Sequence, residues 1–336
     1  MFETLILSYE TVIISPVSQD STGDTIVITP HIIRMIEDFQ KNGGSVLVIT
    51  QKDIAEGALA LQQFNSLRHP TCSSTQLIDF LNLNHIDSKD CLMITGDPTE
   101  ISIANALDLP VIAYQPPNSP FVKFPPVELI LEGFDEIDYE FLSHTYLHAL
   151  KLPITIATTN RLLIRELSKE DASDVFAMYQ DEAFQGEIKP YAMSVSETSE
   201  KLDAYMRNMY CFYGFGLWGV YRLADNTLIG HCGIEYKEIQ RLDGSIECYP
   251  ELSYAIRKSY WNQGYAKEAC KAIVDYAFDQ LEFDCLSVVI RENNKASQSL
   301  AKSLGFSCQD TITRSLPGQK PTNYLLGLRF NRQRKT

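Results

Sequence analysis

The chain has 336 residues, 45% of them hydrophobic, and a formal net charge of −14 at pH 7. This length predicts two domains, each with its own core. Residues 1–150 contain 6 Lys and Arg against 20 Asp and Glu, and the remainder contains 23 against 23, so the acidic excess lies in the first half. An acidic surface repels polyanions, which excludes nucleic acid from the expected partners.

Two further features bear on the cellular setting. No stretch approaches the roughly 18 apolar residues that a membrane helix needs, and the first residues lack the pattern of a secretory signal. The eight cysteines form no C-x-x-C pair and mostly lie in apolar runs, which is typical of reduced core residues. We therefore expect a cytoplasmic protein without a membrane segment.

The first half alternates short apolar runs with amphipathic segments. Its predicted strands are residues 4–7, 11–14, 45–50, 91–95 and 111–114. Its predicted helices are residues 31–42 and 98–107. The strand–helix–strand order favours an α/β domain with an open, parallel, Rossmann-type sheet and helices on both faces.

The segment Gly96-Asp97-Pro98-Thr99-Glu100-Ile101 resembles the last motif of the HAD phosphohydrolase superfamily, with Thr50 and Lys89 in the places of its second and third motifs. That superfamily carries Asp-x-Asp after the first strand, where this chain has Ser8-Tyr9-Glu10. A serine cannot form an aspartyl-phosphate, and a missing carboxylate weakens a Mg²⁺ site. The resemblance therefore implies a HAD-like domain without phosphatase activity. The alternative is a working phosphatase with Asp97 or Glu10 as metal ligands.

A proline-rich stretch, residues 115–126, disfavours both helix and central strand. Residues 134–150 are then predicted to be helical, and they run to Lys151-Leu152-Pro153. We place the domain boundary here, with one domain over residues 1–152 and a second over 153–336. His144 and His148 have the i, i+4 spacing of metal ligands, but with no third ligand in view they are interpreted as surface or interface histidines.

The second half mixes strands and helices in a different order. Its predicted strands are residues 162–167, 216–222, 228–236, 247–256, 286–290 and 323–330. Its predicted helices are residues 169–179, 193–209, 267–281 and 297–304. A hairpin across Ala224-Asp225-Asn226 favours an α+β domain whose central sheet is mixed and mostly antiparallel.

A turn with small residues at Gly264 and Ala266 joins the strand at 247–256 to the next helix. It consists of Trp261, Asn262, Gln263, Gly264, Tyr265 and Ala266. Backbone N–H groups in such a turn, next to a helix N-terminus, form a site for a diphosphate, and the glycine permits close approach. An ordinary strand-to-helix loop is the alternative for this segment alone.

The turn is followed by Asn294-Lys295-Ala296-Ser297 and by Leu304-Gly305-Phe306. Together these segments resemble the GNAT family of acetyl-CoA-dependent N-acetyltransferases, over residues 158–330. Trp261 replaces the family's usual Gln or Arg, as in the branch that includes the ribosomal-protein N-terminal acetyltransferases. The resemblance implies acetyl-CoA as cosubstrate, no metal, and CoA contacts from the turn, from Asn294 and from the backbone of Tyr254, Ala255 and Ile256.

Acetyl transfer to an amine needs a base, because an alkylamine with a pKa of about 10 is mostly protonated at pH 7. Glu251 is the first candidate and Glu235 the second, with half-buried, paired carboxylates as the alternative. The resemblance implies that Ser297 contacts CoA and protonates the leaving thiolate, with a helix N-cap as the alternative. Tyr213 and Phe215, flanked by glycines, are predicted to shape the acceptor cleft.

The sequence thus predicts a degenerate HAD-like domain followed by a GNAT N-acetyltransferase that acts by direct transfer within a ternary complex. The acceptor is a primary amine, on a small molecule or at a protein N-terminus. Two alternatives remain: a HAD-type phosphatase with an accessory GNAT domain, and a non-catalytic acyl-CoA sensor. The acceptor's identity and the oligomeric state are open, because specificity lies in loops whose shape the sequence does not fix.

Overall fold

The computed structural model describes residues 2–13, 30–50, 66–70, 73–117, 119–184, 192–240, 246–314 and 322–331. The chain divides into two compact units, Met1–Leu152 and Pro153–Thr336. In the part of the chain so described, no helix combines the length and the apolar character needed to span a membrane.

The first unit is built on one parallel sheet. Its strands are β1 (Thr4–Ser8), β2 (Ser45–Thr50), β3 (Ser66–Pro70), β4 (Cys91–Thr95), β5 (Val111–Tyr114) and β6 (Ile130–Leu131). Its helices are α1 (Pro30–Lys41), α2 (Ser74–Leu83), α3 (Pro98–Ala106) and α4 (Tyr139–Ala149). The strands lie in the order β3-β2-β1-β4-β5-β6, and each neighbouring pair is parallel.

Alternate residues of β1 face two separate helical layers. Leu5 and Leu7 pack in a cluster with α1 and α4, whereas Ile6 packs in a cluster with α2 and α3. A strand covered on both faces must be apolar throughout, which explains the uninterrupted apolar runs of the sequence. The predicted open parallel sheet with helices on both faces is confirmed.

The strand predicted at residues 11–14 is wrong. Tyr9–Ile13 instead forms a π-helical turn directly after β1, and residue 14 lies outside the described residues. Val12 and Ile13 are buried in the core with α1, so their apolar character reflects burial rather than strand pairing. Thr11 anchors the turn, because its Oγ1 accepts a hydrogen bond of 2.8 Å from the Gly96 N–H.

The second unit is built on one mixed sheet. Its strands are β7 (Thr155–Thr158), β8 (Leu162–Arg165), β9 (Leu217–Arg222), β10 (Thr227–Gln240), β11 (Ile246–Ile256), β12 (Cys285–Arg291), β13 (Ser307–Arg314) and β14 (Thr322–Phe330). Its helices are α5 (Ala172–Tyr179), α6 (Val195–Tyr205), α7 (Tyr265–Asp279) and α8 (Lys295–Ser303). The strands lie in the order β13-β14-β12-β11-β10-β9-β8-β7. Neighbouring strands are antiparallel except β11 and β12, which are parallel. The predicted mixed, mostly antiparallel sheet is confirmed.

The two faces of this sheet carry different helices. Helix α7 packs its buried residues, among them Cys270 and Ile273, against Cys232 and Ile234 of β10. On the other face, α5 and α6 pack with Tyr221 and the turn after β8. The side chains of a strand alternate between faces, so residues next to Cys232 and Ile234 in the sequence face α5 and α6.

The parallel strands β11 and β12 diverge. Strand β11 pairs with β10 without interruption from Ile246 to Ile256, but it pairs with β12 at one position, Glu251 with Ser287. Beyond Glu251, the last residues of β11 therefore have a partner on one side, and a gap opens on the other. This divergence positions the candidate site.

Several predicted boundaries change in the second unit. The strand at 162–167 ends at Arg165, and the helix at 169–179 divides into a 3₁₀ turn, Lys169–Asp171, and α5. The helical region at 193–209 is α6 followed by a π-helical turn, Met206–Tyr210. Strand β13 was not predicted, because its sequence, SCQDTITR, is largely polar and hides a strand among loop residues.

Candidate functional site

A cavity of about 580 Å³ opens at the diverging end of β11. Its wall combines the last residues of β11, the turn before α7, and the N-terminal turns of α7 and α8. The lining residues are Ala183, Tyr254, Ala255, Ile256, Tyr260, Trp261, Asn262, Gly264, Tyr265, Ala266, Lys267, Asn294, Ala296, Ser297, Ser299, Leu300 and Ser303. Most of the predicted cofactor residues therefore surround one cavity, while Gln263 is not among its lining residues.

The turn before α7 leaves a helix N-terminus directed at this cavity. Gly264 is the N-cap of α7 with φ +81°, a left-handed conformation that glycine adopts without steric cost. Among the described residues, no side chain caps the helix. The first N–H groups of α7 carry a positive partial charge and lie beside the cavity, so the site suits an anion such as a diphosphate.

Trp261 contributes a ring rather than a donor. Its indole N–H donates to the carbonyl oxygen of Ile256 at 2.6 Å, which ties the turn to the end of β11. The ring remains 51% exposed and lines the cavity. The residue that replaces Gln or Arg thus closes one wall of the cavity, and the donors for a diphosphate come from the main chain.

Backbone groups at the end of β11 are divided between two sides. The Arg257 N–H donates to the Ile229 carbonyl at 2.8 Å, so in the antiparallel ladder the backbone groups of Ala255 also face β10. Those of Tyr254 alternate to the opposite side, where β12 has diverged. Of the three predicted residues, Tyr254 therefore offers both backbone groups to the gap, and Ile256 offers its N–H, since its carbonyl is bonded to Trp261.

Tyr254 and Ser297 are neighbouring hydroxyl residues that line the cavity. Within the described residues, the Tyr254 hydroxyl is buried and has no partner at hydrogen-bonding geometry, although the Ser297 side chain is close enough for an electrostatic interaction with it. Burial, partly offset by that interaction, raises the pKa of Tyr254 to about 12. The phenol therefore stays protonated at neutral pH.

Asn294, rather than Ser297, is the N-cap of α8. Its Oδ1 accepts a hydrogen bond of 3.1 Å from the Ser297 N–H. The helix therefore begins two residues earlier than predicted, and the N-cap alternative for Ser297 is wrong. Since capping does not involve the Ser297 hydroxyl, that group is available to the cavity.

The candidate bases lie on the sheet face that carries α5 and α6. His231 contacts Tyr179 of α5, and Glu235 is four residues further along β10 on the same face. Glu251 is the register partner of Glu235 and is 5% exposed. Neither carboxylate is among the residues that line the cavity. By strand alternation, the side chains of Glu251 and Tyr254 lie on opposite faces of β11.

A lysine joins the two carboxylates. Lys237 Nζ lies 3.4 Å from Glu235 Oε2 and 3.6 Å from Glu251 Oε1, and it donates to Ser253 Oγ at 3.3 Å. The Tyr205 hydroxyl donates to Glu235 Oε1 at 3.3 Å. Sequence analysis missed Lys237, Ser253 and Tyr205, although the alternation of Glu235 with Lys237 and of Glu251 with Ser253 carried a period-2 signal for the first two.

The predicted acceptor residues lie apart from these carboxylates. Phe215 is buried, with its ring 5.5 Å from Tyr236 and 5.3 Å from Phe283, on the face that carries α7. Tyr213 is exposed, with its ring 6.0 Å from Phe215. In this position Phe215 has a packing role, and the contribution of both residues to an acceptor cleft stays a prediction.

Most of the motif residues of the first unit lie at the carboxyl edge of its sheet, whereas Lys89, matched to the third motif, lies in the 3₁₀ turn Ser88–Asp90 directly before β4, at the amino edge. Ser8 is buried at the end of β1, and Thr50 is buried at the end of β2. The Asp97 carboxylate accepts a hydrogen bond of 2.7 Å from the Thr99 N–H, which makes it the N-cap of α3. The side chain of Glu10 lies outside the described residues, within which no group of three or more His, Cys, Asp or Glu is arranged to hold a metal ion.

Comparison with known families decides the nature of the second unit. Residues 161–307 match the family model described as acetyltransferase (GNAT) domain. These residues form a GNAT acetyltransferase domain. The chain is therefore an acyltransferase, and acetyl-CoA is its cosubstrate. The structure fits that molecule, because the GNAT domain presents an uncapped helix N-terminus, a left-handed glycine and unpaired strand backbone around one cavity.

Relatives of the GNAT domain match about half of the chain. The uncharacterized protein YkkB of Bacillus subtilis is 26% identical over 163 residues, which cover 48% of this chain and 90% of that protein. The uncharacterized N-acetyltransferase YoaA of the same organism is 25% identical over 172 residues, which cover 50% of this chain and 92% of YoaA.

Solved structures also match this half. A ribosomal-protein-S5-alanine acetyltransferase from Vibrio fischeri aligns with a TM-score of 0.46 at 14% identity, and the alignment covers 55% of this chain and 100% of the Vibrio fischeri chain. A GNAT-family acetyltransferase from Bacillus anthracis aligns with a TM-score of 0.41 at 19% identity, and the alignment covers 52% of this chain and 96% of the Bacillus anthracis chain.

Proposed function

We propose that the GNAT domain, residues 153–336, transfers the acetyl group of acetyl-CoA directly to a primary amine within a ternary complex. The divergence of β11 and β12 after Glu251 is the observation that supports this most. It leaves the Tyr254 backbone beside a cavity that Tyr254 and Ser297 line, while the side chains of Glu251 and Glu235 lie on the opposite sheet face from that of Tyr254. A thioester in the opening is then accessible to an amine that enters from the side of the carboxylates.

Cofactor binding is assigned to main-chain groups. The N–H groups at the start of α7, next to Gly264, receive the diphosphate, because a helix N-terminus favours negative charge. The backbone groups of Tyr254 and the Ile256 N–H hold the pantetheine arm as a further strand would. Asn294 and Ser297, at the start of α8, complete the wall.

Glu251 removes the amine proton, directly or through a water molecule. The neutral nitrogen attacks the carbonyl carbon of the thioester, the C–N bond forms and the C–S bond breaks. Ser297 or Tyr254 gives a proton to the departing sulfur. The nitrogen then releases its second proton, which returns to that hydroxyl, so the products are an amide and the CoA thiol, and the proton held by Glu251 passes to solvent. Glu235 is the second candidate for the base, and Lys237 lies beside both carboxylates.

The acceptor is proposed to carry a primary amine that arrives as an ammonium ion. A carboxylate pair with a single lysine has a net negative charge, which attracts a cation. Amines of small molecules and of protein N-termini both meet this requirement. Incubation of the full chain with acetyl-CoA and a panel of polyamines, aminoglycosides, amino acids and N-terminal peptides, with CoA thiol release as the readout, tests the proposal. Acetyl-CoA binding without release for any amine would replace it with an acyl-CoA sensor.

For residues 1–152 we propose a HAD-like domain without phosphatase activity. Ser8 occupies the position of the attacking carboxylate, and the Asp97 carboxylate is engaged as the N-cap of α3. We place the protein in a reducing cytoplasm, since the cysteines in the described residues are free thiols. Hydrolysis of p-nitrophenyl phosphate with Mg²⁺ tests the first part, and turnover that Asp97→Ala abolishes would overturn it.

A further inference from the structure

Arg161 links the start of β8 to the cofactor turn. Its Nη1 donates to the Gln263 carbonyl oxygen at 3.0 Å. Its Nε and Nη2 lie 2.7 Å and 2.6 Å from the Glu268 carboxylate, in the first turn of α7. The guanidinium carbon also lies 4.4 Å from the ring centroid of Tyr265. One planar cation thus contacts the turn, the helix and a ring on the helix, a geometry that lysine cannot reproduce.

Glu268 fixes Arg161 in return. Besides the guanidinium, its carboxylate accepts hydrogen bonds from Thr159 Oγ1 at 2.7 Å and from the Arg161 N–H at 3.0 Å. Although burial opposes it, hydrogen bonds from Thr159 and Arg161 hold the pKa of Glu268 below its usual range. An unpaired carboxylate in the first turn of α7 would repel a diphosphate at that helix end, and Arg161 offsets its charge.

The contact to Gln263 controls the direction of a turn amide. In a trans peptide unit the C=O and the following N–H point in opposite directions. Because Arg161 holds the Gln263 carbonyl, the Gly264 N–H is directed away from Arg161. Asn262 and Gly264 both have positive φ, +58° and +81°, a conformation that asparagine and glycine tolerate better than other residues do.

We infer that Arg161, held by Glu268, is a positioning residue that keeps the turn in its diphosphate-binding conformation. The inference depends on the proposed assignment of this turn to CoA. It makes no use of the acceptor or of the catalytic residues, so it predicts an effect on CoA affinity and not on the chemical step.

Titration of the full chain with free CoA by calorimetry tests the inference. Arg161→Met should raise the dissociation constant about tenfold, as expected when a charge-assisted hydrogen bond to the turn is lost, and Arg161→Lys should recover only part of the affinity. The matched control is Arg165→Met. Arg165 is the last residue of β8, the strand that begins directly after Arg161; it pairs with Asp171 at 2.7 Å and covers the ring of Tyr221 at 4.1 Å, but none of these contacts is to the turn before α7. Its loss should lower the unfolding temperature and leave CoA affinity unchanged.

Two measurements separate positioning from simple destabilisation. With any amine that is turned over, KM for acetyl-CoA should rise while kcat at saturating acetyl-CoA changes less than about twofold, because the interaction is made equally in the ground and transition states. In a cycle of Arg161→Met, Glu268→Gln and the double variant, the double variant should bind CoA no more weakly than Arg161→Met alone, since both changes release the same contact.

The outcomes separate the positioning role of Arg161 from the assignment of the turn to CoA. Unchanged CoA affinity in Gly264→Glu would show that the turn does not bind CoA. If Gly264→Glu weakens binding and Arg161→Met does not, or if the effects of Arg161→Met and Glu268→Gln simply add, the positioning role is overturned and the turn assignment stands.

Discussion

Glu235 and Glu251 face each other across the antiparallel pair β10 and β11, as register partners. Like charges directly opposite on neighbouring strands destabilise a sheet. Lys237, within 3.6 Å of both carboxylates, offsets that repulsion, and the Tyr205 hydroxyl donates to Glu235. The sheet thus holds the carboxylates of Glu235 and Glu251 next to the opening between β11 and β12, where a carboxylate can accept a proton.

Replacing Glu251 by Gln tests the base. The amide has the size of the carboxylate but no basicity, so kcat should fall by about 10²-fold or more, the usual contribution of a general base. Acetyl-CoA affinity should not change, because Glu251 does not line the cavity. Steady-state kinetics with a substrate amine and a separate CoA titration check both statements.

Glu235→Gln is the matched control for that experiment. It removes the partner carboxylate across the pair and leaves Glu251 beside Lys237, so a smaller loss of kcat is expected. If Glu235→Gln were the more damaging change, the two carboxylates would exchange roles. If neither change altered kcat, both would be structural.

The diphosphate turn is tested by Gly264→Glu. The new side chain adds strain at φ +81° and places a carboxylate at the N-terminus of α7, so the CoA dissociation constant should rise at least about tenfold.

Gly305→Glu provides the comparison, because Gly305 also has positive φ, +89°, but follows the C-terminus of α8 and does not line the cavity. It should reduce stability and leave CoA affinity unchanged. The chain's two tryptophans include Trp261 on the cavity wall, so fluorescence can follow the titration.

Much of the fold could be predicted because periodicity survives in its buried elements. The runs Ser45–Thr50 and Cys91–Thr95 are buried on both faces, and α1 carries its apolar residues at helical spacing. The failures have physical causes. Val12 and Ile13 are apolar because a π-helical turn buries them, and β13 is polar because, of its described side chains, Ile312 alone is buried in the core. An apolar pattern in the sequence indicates which residues are buried. It indicates secondary structure only where the buried residues belong to a regular strand or helix.

The candidate site was predictable where the main chain forms it. A Gly in a turn before a helix predicts an anion site without knowledge of tertiary contacts. By contrast, Arg161 and Glu268 are 107 residues apart in the sequence, and Lys237 and Tyr205 join the carboxylates only through strand pairing and helix packing. The N-cap of α8 also depends on local geometry, since Asn294 and Ser297 are both good capping residues by type.

The proton donor for the thiolate is tested by Tyr254→Phe and Ser297→Ala. The two hydroxyls interact, so either can supply the proton, and we expect each single variant to lose less than about tenfold in kcat and the double variant to lose more than the product of the two. Because burial raises the pKa of Tyr254 to about 12, its ionisation should produce no inflection in the pH–rate profile below about pH 10. An inflection in that range that disappears in Tyr254→Phe would contradict the assignment.

The Arg165–Asp171 pair is predicted to stabilise the GNAT domain without contributing to catalysis. Both guanidinium Nη atoms donate to the Asp171 carboxylate, at 2.9 Å and 2.7 Å, and the Tyr221 hydroxyl donates to it at 2.8 Å. Asp171→Asn leaves a largely buried arginine without its counter-charge, which should cost about 3 kcal/mol of unfolding free energy at pH 7. Urea unfolding followed by tryptophan fluorescence measures this, because Trp218 and Trp261 both lie in the second unit.

The pH dependence of that loss distinguishes an ion pair from simple packing. Although burial opposes it, hydrogen bonds from Arg165, the Ser168 backbone and Tyr221 hold the pKa of Asp171 below its usual range. For a carboxylate whose pKa is depressed by folding, the stabilisation is present above the unfolded-state pKa of about 3.9 and is lost as the pH falls through the folded-state pKa. The difference between the native protein and Asp171→Asn should therefore be constant from pH 7 to about pH 5 and then shrink as the pH falls below about 4. A difference that stayed constant down to pH 2 would assign the effect to packing, because protonation would then leave the contribution of Asp171 unchanged.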